Sequence, residues 1–306
     1  MDVEKKHKSN YKESRNVNMK KNFKKILCIF LISFYFLKVE QVQSLIPYYY
    51  IFPTFKNLQK ESLSIGKNAY QLLYFGQYKQ SLNLAKLAVK INKKDEKLWL
   101  ILAEAQLANK LYKKALKSLD KAQSINTDNS EIYFAKSNIY LKISQLKNAK
   151  TALEKGLKIE PNNHNATFQL GNILLMEKNY SEAIEVFDVS LKIKPDFWQA
   201  INNKALAYFE KDYINLSIKL FEQAISIKEN AEPLLGLASC LRQRDIKLAL
   251  QLATKALDKD PNYVNYDYRK EQLWGEKLQR STKILLQNEQ LQKNVITANL
   301  KINASS

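Results

Sequence analysis

The stretch "LGNILLMEKNYSEAIEVF", from Leu170 to Phe187, decides how this chain folds. Apolar residues recur at helical spacing on both sides of the polar break "EKN", which indicates two amphipathic helices joined by a short turn. Gly171 and Ala183 stand where such helices usually carry a larger core residue. Small side chains at these two places let the helix backbones approach closely, so the stretch predicts a tightly packed pair of helices.

Small residues recur in the same register along most of the chain. One series repeats every 34 residues, with a last step of 32: Ala88, Ala122, Gly156, Ser190, Ala224 and Ala256. A second series keeps the same spacings: Ser81, Ala115, Ala149, Ala183, Ser217 and Ala249. The residues predicted to open the second helix of each unit share this register: Tyr78, Tyr112, Leu146, Tyr180, Ile214 and Ile246. Such a period predicts a stack of repeated helix pairs.

The clearest unit, 164–197, combines Leu170, Gly171, Tyr180, Ala183, Phe187 and Pro195. This pattern and the unit length resemble the tetratricopeptide repeat. The resemblance implies an all-α protein, a right-handed superhelical solenoid of about six helix pairs with a C-terminal capping helix. The array spans 62–261, in units 62–95, 96–129, 130–163, 164–197, 198–229 and 230–261. The residues expected to pack the helices together are Ala103, Ala115, Ala122, Ala149, Gly156, Gly171, Ala183, Ala205 and Ala249.

Composition agrees with a helical protein whose surface is basic. The 306 residues include only six glycines and six prolines, which disfavours an all-β fold with many tight turns. The formal net charge is +19, and almost all of the basic residues are lysines. Proteins that read nucleic acids favour arginine for its bidentate fork. We therefore predict a solvated basic surface and no nucleic-acid partner, with an RNA- or anionic-surface-binding protein as a less favoured alternative.

The amino terminus has the pattern of a targeting segment. Residues 1–25 hold nine Lys or Arg against three acids, and the apolar run "ILCIFLISFYFL" follows at 26–37. Twelve residues are short for a transmembrane helix but fit the apolar region of a signal peptide. We predict that 1–44 is a signal peptide or a signal anchor, so that the array lies on the non-cytoplasmic side. The start codon, Met1 or Met19, is left open.

Two further segments flank the array. The stretch "LIPYYYIFPTF" opens the segment 45–61, and its prolines and aromatic residues predict an extended strap packed on the first helix pair. A membrane or partner contact is the alternative. Residues 262–306 read as a longer helix starting near Asp267 and a tail that together cap the array, because Trp274, Leu278 and Leu285 recur at helical spacing. The alternative is a docking surface around Trp274.

No constellation of catalytic or metal-binding residues is evident in the sequence. The histidines are His7 and His164, and the cysteines are Cys28 and Cys240, which match no zinc spacing. The glycines are scattered singly, so they form no phosphate-binding loop. We predict no enzymatic activity, no metal, no cofactor and no small-molecule substrate. Cys240 is predicted to be a core residue.

The resemblance implies that the first helix of each unit lines a concave groove that takes peptides. The ninth residue of successive units is Tyr70, Glu104, Asn138, Asn172 and Leu206. An asparagine amide can both donate to and accept from an extended peptide backbone. The candidate groove residues are Glu104, Phe134, Asn138, Phe168, Gln169, Asn172, Asn202 and Asn203. The alternative is that these asparagines are merely solvated.

The stretches "YRKEQLWGEKL" (268–278), "FWQAINNKALAYFE" (197–210) and the segment from Ser44 to Lys67 resemble a narrower group. These are exported tetratricopeptide proteins of cyanobacteria, some of which are linked to photosystem assembly. The resemblance implies a non-enzymatic scaffold at the thylakoid or plasma membrane that holds a protein client. An accessory scaffold for envelope or polysaccharide export is the alternative function.

Overall fold

The computed structural model of the protein describes residues 55–305, and within that range it contains helices and no strand. Twelve helices form six successive pairs in chain order. They are α1 (Phe55–Tyr74), α2 (Tyr78–Ile91), α3 (Glu96–Ala108), α4 (Tyr112–Ile125), α5 (Ser130–Lys142), α6 (Leu146–Ile159), α7 (His164–Met176), α8 (Tyr180–Ile193), α9 (Trp198–Glu210), α10 (Ile214–Ile227), α11 (Ala231–Leu241) and α12 (Ile246–Lys259). Each helix packs on its partner and on the next pair, so the predicted all-α solenoid of helix pairs is confirmed.

The helix boundaries follow the repeat register. Each second helix is 14 residues long and begins at the residue that the periodicity predicts, from Tyr78 through Ile246. Most first helices start after an asparagine or aspartate whose side chain accepts a hydrogen bond from a backbone N–H of the first turn. These N-terminal caps are Asp95, Asn129, Asn163 and Asn230.

The turn inside each of the first five pairs has one conformation. A single residue in the left-handed region follows the first helix, with φ between 59° and 72°: Gly76, Lys110, Ser144, Lys178 and Asp212. Around Ser144, the backbone N–H of Ser144 donates to the Leu141 carbonyl and that of Gln145 donates to the Tyr140 carbonyl. This pair of bonds is a Schellman motif, which satisfies the last carbonyls of the helix. The other four turns make the same two bonds.

The predicted small residues lie where helices meet. All nine of the expected packing residues are buried. At Gly171 the ring of Phe187 takes the space of a side chain, because a Cβ built on Gly171 would lie 2.5 Å from Cε1 of that ring. The serines of the second series are satisfied internally, since the hydroxyls of Ser81 and Ser217 donate to the carbonyls of Ala69 and Ala205.

The predicted extended strap at 45–61 is wrong in its last part. Helix α1 instead begins at Phe55. No proline or glycine interrupts the chain between Thr54 and Ile65. In addition, Ser62, Ile65 and Ala69 recur at helical spacing on the packed face of the helix. The rest of the strap and the predicted targeting segment 1–44 lie outside the described residues. Within 55–305, no helix combines the length and the apolar character needed to cross a bilayer.

The C-terminal cap is present, but it is several helices rather than one. It comprises two 3₁₀ turns (Pro261–Val264 and Glu289–Leu291), α13 (Tyr266–Glu271), α14 (Glu276–Leu286) and α15 (Gln292–Ser305). The predicted helix cap at Asp267 is wrong by two residues, since Asn265 is the capping residue and the helix begins at Tyr266. The chain breaks after α13 because Leu273 adopts a positive φ of 65° in a sixth turn of the Schellman type. Helix α14 packs on the first helices α9 and α11, and α15 packs on α12.

We expect Gly171→Ala to lower the free energy of unfolding by about 1 kcal/mol in chemical denaturation. Overpacking against Phe187 costs ~1–3 kcal/mol, which exceeds the roughly 1 kcal/mol that alanine contributes as a better helix former. In a Phe187→Leu background the ring is absent, so the same substitution should become neutral or stabilising. Equal effects of Gly171→Ala in both backgrounds would contradict the contact.

We expect Ser144→Gly to raise the free energy of unfolding by roughly 0.5–1 kcal/mol, because glycine adopts positive φ without the steric penalty of a β-carbon. Gly76→Ser should lower it by a similar amount. Both sites are suited to the comparison, since Ser144 is exposed and a Cβ on Gly76 would meet no atom within 4 Å. Thermal and urea unfolding measure both variants. If both variants changed the free energy of unfolding in the same direction, the positive φ of the turn would not be the cause.

Candidate functional site

The first helices of the first three pairs line an open groove of about 590 Å³. Three of the predicted ninth-position residues meet there, each from a different helix: Tyr70 from α1, Glu104 from α3 and Asn138 from α5. They come together because equivalent positions of stacked pairs lie side by side. The remaining lining residues are Lys97, Leu100, Ile101, Glu131, Phe134 and Ala135.

The groove combines an apolar floor with polar side chains that point to solvent. Tyr70 is 56% exposed, and Glu104 and Asn138 are also exposed. The side-chain amide of Asn138 makes no hydrogen bond to any residue between 55 and 305, so its donor and acceptor are both available to a ligand. Phe134 contributes its ring to the floor, where it covers Gly156. Such a surface suits an extended chain with polar backbone groups and apolar side chains.

Glu104 is the groove's most perturbed acid. The groove walls exclude part of the water around its carboxylate, and this desolvation raises its pKa above the ordinary value. The negative charge of Glu131, on the neighbouring first helix, raises the pKa further. Two carboxylates that destabilise each other make this part of the groove a favourable place for a cation carried by a ligand. Lys97 also lines the groove but makes no ion pair with either carboxylate.

The fourth pair changes the character of the surface. Phe168 is not left as an open pocket, because its ring packs against Phe187 and Phe197 at centroid distances of 5.9 and 4.9 Å. Phe197 in turn contacts the ring of His164 edge-on at 5.2 Å. The predicted groove residue Gln169 is only partly exposed, and its Oε1 is buried without a hydrogen-bond partner.

The predictions that Asn202 and Asn203 line an open groove are wrong. Asn202 is 0% exposed and Asn203 is 7% exposed. Their amides are used internally, since Asn202 Nδ2 donates to Asn203 Oδ1 at 3.0 Å, and Asn203 Nδ2 donates to Asn172 Oδ1 at 2.8 Å. Leu206, the ninth residue of its unit, is 1% exposed. The open groove, which is lined as far as Asn138, therefore does not continue over α9, and Asn172 between them is half-buried.

The chain's own C-terminal cap covers this end of the groove. Glu210, at the end of α9, accepts hydrogen bonds from the backbone N–H groups of Lys277 and Leu278 at 3.2 and 2.9 Å. Its carboxylate thereby caps the N-terminus of α14, where negative charge is favourable. Gly275 allows the close approach, because a Cβ there would lie 2.2 Å from the Glu210 carboxyl carbon.

A second contact holds the cap from the side of α11. Trp274 is 4% exposed, and its indole Nε1 donates to Glu232 Oε1 at 3.2 Å. The alternative of a docking surface around Trp274 is therefore not supported by its position. Asn202 and Tyr263 also hydrogen-bond the Glu232 carboxyl. Burial outweighs these bonds and raises the pKa of Glu232 to about 7.

Further along α14, hydroxyl groups bind the cap to α11. Ser239 Oγ and Thr282 Oγ1 lie 2.7 Å apart, and Ser281 Oγ donates to the Ser239 carbonyl. Cys240 is buried beside them, and burial raises the pKa of its thiol to about 12, in agreement with a core residue.

Three functional residues of the groove and cap were missed from the sequence. Lys97 and Glu131 hold the second position of their units, so the repeat register could have identified them as groove residues. Glu210 carries no local signal, because its partners lie 67 and 68 residues away in the chain. Among the described residues, no group of histidine, cysteine or acidic side chains has the arrangement of a metal site.

Comparisons with known proteins agree with this architecture. Sequence profiles of the tetratricopeptide repeat match residues 72–139, 141–207 and 199–230. The solved structure of pilF from Pseudomonas aeruginosa superposes with a TM-score of 0.60 at 17% identity, covering 70% of this chain and 98% of that one. MamA from Desulfovibrio magneticus gives 0.50 at 22% identity, covering 53% of this chain and 93% of the other. No curated protein sequence matches significantly.

We expect Glu232→Gln to stabilise the protein at pH 8 but not at pH 4. The folded protein raises the pKa of Glu232 from 4.5 to about 7, so the unfolded chain releases this proton first. The carboxyl therefore lowers stability progressively as pH rises from about 4.5 to 7, and glutamine removes this penalty while keeping an acceptor for Trp274. The gain at pH 8 should be roughly 1–3 kcal/mol by urea unfolding. A gain of the same size at pH 4 would contradict the assignment.

Proposed function

The chain belongs to the tetratricopeptide repeat family, and we propose that it is a non-enzymatic scaffold that holds an extended segment of a protein client in the open groove. The observation that carries the proposal is the meeting of Tyr70, Glu104 and Asn138 over an apolar floor. The Asn138 side-chain amide can both donate a hydrogen bond to a peptide backbone and accept one from it. The floor formed by Leu100 and Phe134 can take an apolar side chain of the same peptide. The Glu104–Glu131 pair favours a basic residue beside it.

The proposed groove spans the first helices of the first three pairs, from Tyr70 to Asn138. Over α9 and α11 the C-terminal cap occupies the equivalent surface, so a client does not extend there. A short linear segment therefore fits better than a folded domain. A short segment also agrees with a scaffold that holds a protein before or during its assembly with others.

The proposed client is a component of a membrane or photosynthetic complex under assembly, by the resemblance to exported cyanobacterial tetratricopeptide proteins. The proposed location is the non-cytoplasmic side of the plasma or thylakoid membrane, with the basic and apolar segment 1–44 as export signal or anchor. The absence of enzymatic activity is part of the same proposal, and it is supported by the scaffold role that is general in this family.

The direct test is crosslinking in the protein's own cells followed by purification and mass spectrometry. Peptides that begin at Leu45, together with subunits of photosystems crosslinked to α1, α3 or α5, would support an assembly factor released across the membrane. Retention of 26–37 with the same partners would support an anchored form. Partners restricted to envelope or polysaccharide machinery, or RNA alone, would overturn the assembly role.

We expect Asn138→Ala to weaken capture of the crosslinked client peptide about 3- to 10-fold, because the loss of hydrogen bonds to a peptide backbone costs ~0.5–1.5 kcal/mol. Fluorescence anisotropy with the synthetic client peptide measures the affinity. Asn148→Ala is the matched control, since Asn148 is an exposed asparagine on the second helix α6. Equal losses in the two variants, or no loss in either, would contradict binding in the groove.

A further inference from the structure

Arginines gather in one cleft at the edge of the C-terminal cap. The whole chain contains five arginines, and Arg242, Arg244 and Arg280 line a single cleft of about 470 Å³. Arg242 and Arg244 follow α11, and Arg280 lies on α14 of the cap. Lys277, from the first turn of α14, is the fourth cation on its wall. This cleft is separate from the open groove of the first three pairs.

Among the described residues, no carboxylate lies within 4.0 Å of the three guanidinium groups. Between residues 55 and 305, every ion pair with a carboxylate is made by a lysine, and Lys277 itself pairs with Asp212. The arginines use neutral acceptors instead: Arg242 Nε donates to Ser281 Oγ at 3.3 Å, and Arg244 Nη1 donates to Asn215 Oδ1. Most of their five N–H donors each stay available to a ligand.

Asp212 is the one carboxylate on the cleft wall and pairs with Lys277, and two further carboxylates close in sequence to the arginines have partners of their own. Asp245 accepts from the Leu248 backbone N–H at 2.9 Å and so caps α12. Glu276, one turn before Arg280, pairs with Lys178 at 2.6 Å and adds only a weaker electrostatic attraction to Arg280. Three like charges in a concave site repel one another, and that repulsion is relieved when an anion binds between them. The cleft therefore has a deficit of negative charge that a ligand can supply.

The walls between the cations are apolar. Phe209 and Ile214 form one side, and Ile284, four residues after Arg280 on α14, forms the other and is 51% exposed. A nucleic acid is disfavoured here, since Phe209 is buried and offers no exposed ring on which a base could stack. An apolar wall beside guanidinium forks suits a carboxylate next to an aliphatic side chain, because arginine binds carboxylates through two parallel hydrogen bonds.

We propose that this cleft binds an acidic peptide segment of a protein partner, with one or two carboxylates held by Arg242, Arg244 and Arg280 and an adjacent apolar side chain against Ile284. The site is independent of the proposed groove client. It gives the protein a second binding site, at the edge formed by the turns of the last two pairs. This site prefers acidic ligands, whereas the groove beside Glu104 and Glu131 prefers basic ones.

The test is fluorescence anisotropy of the complete chain with a labelled peptide that alternates glutamate with leucine. The cleft variant Arg242→Gln/Arg280→Gln should lower its affinity at least tenfold. The matched control is Lys247→Gln/Lys283→Gln, which removes two exposed cations outside the cleft and should change affinity less than twofold. Arg242→Lys/Arg280→Lys keeps the charge without the fork and should give an intermediate loss. Thermal unfolding of each variant checks that it is folded.

Equal losses in the cleft and control variants would overturn the proposal, because binding would then follow net charge alone. A glutamine-for-glutamate peptide that binds as tightly would overturn the role of the carboxylates. The same titrations with inorganic phosphate and with phosphatidylserine vesicles identify other anions. Binding of either that depends on the arginines, without binding of the peptide, would overturn the assignment to a protein partner.

Discussion

The close approach of two helix backbones at a residue without a side chain governs this structure. At Gly171 the ring of Phe187 fills the volume that a β-carbon would occupy, and the same exchange recurs at Gly156, which Phe134 covers. Each contact fixes both the distance and the rotation of one helix on the other, because a ring fits over a bare backbone in few positions. In other pairs buried alanines such as Ala103 and Ala205 stand at the position of Gly171 and keep the two helices of the pair equally close. The groove is a consequence of that repetition.

The opening of the groove depends on how the array ends. A stack of amphipathic pairs leaves an unpaired apolar face on its last member, and that face must be covered in water. Here the C-terminal cap covers that face: α15 packs on α12, and α14 packs on the first helices α9 and α11. The asparagines at this end, Asn202 and Asn203, instead bond each other, Asn172 and Glu232 of α11. The C-terminal cap therefore both stabilises the last pair of the array and limits the length of the open groove.

The sequence predicted the features that repeat and missed those that join distant segments. The starts of the second helices and the buried small residues were predictable, since each is encoded by a residue type at a fixed position in the unit. The same register brings Glu104 and Asn138 together on one open surface, and their role in binding a peptide stays a prediction. Asn202 and Asn203 share that register, yet they are buried by a cap whose anchor, Glu210, is 68 residues from Leu278 in the chain. The break at Leu273 was also unpredictable, because leucine rarely adopts positive φ.

The cap that covers α9 and α11 also restricts how such a protein can change in length. Because Glu210 and Glu232 bind the cap from the fifth and sixth pairs, those two pairs and the cap form one inseparable terminal block. A duplication of a 34-residue unit after the sixth pair would separate this block, whereas a duplication among the first four pairs would leave it intact. A pair can therefore be added without disturbing the block only on the amino-terminal side, where it would lengthen the open groove by one helix.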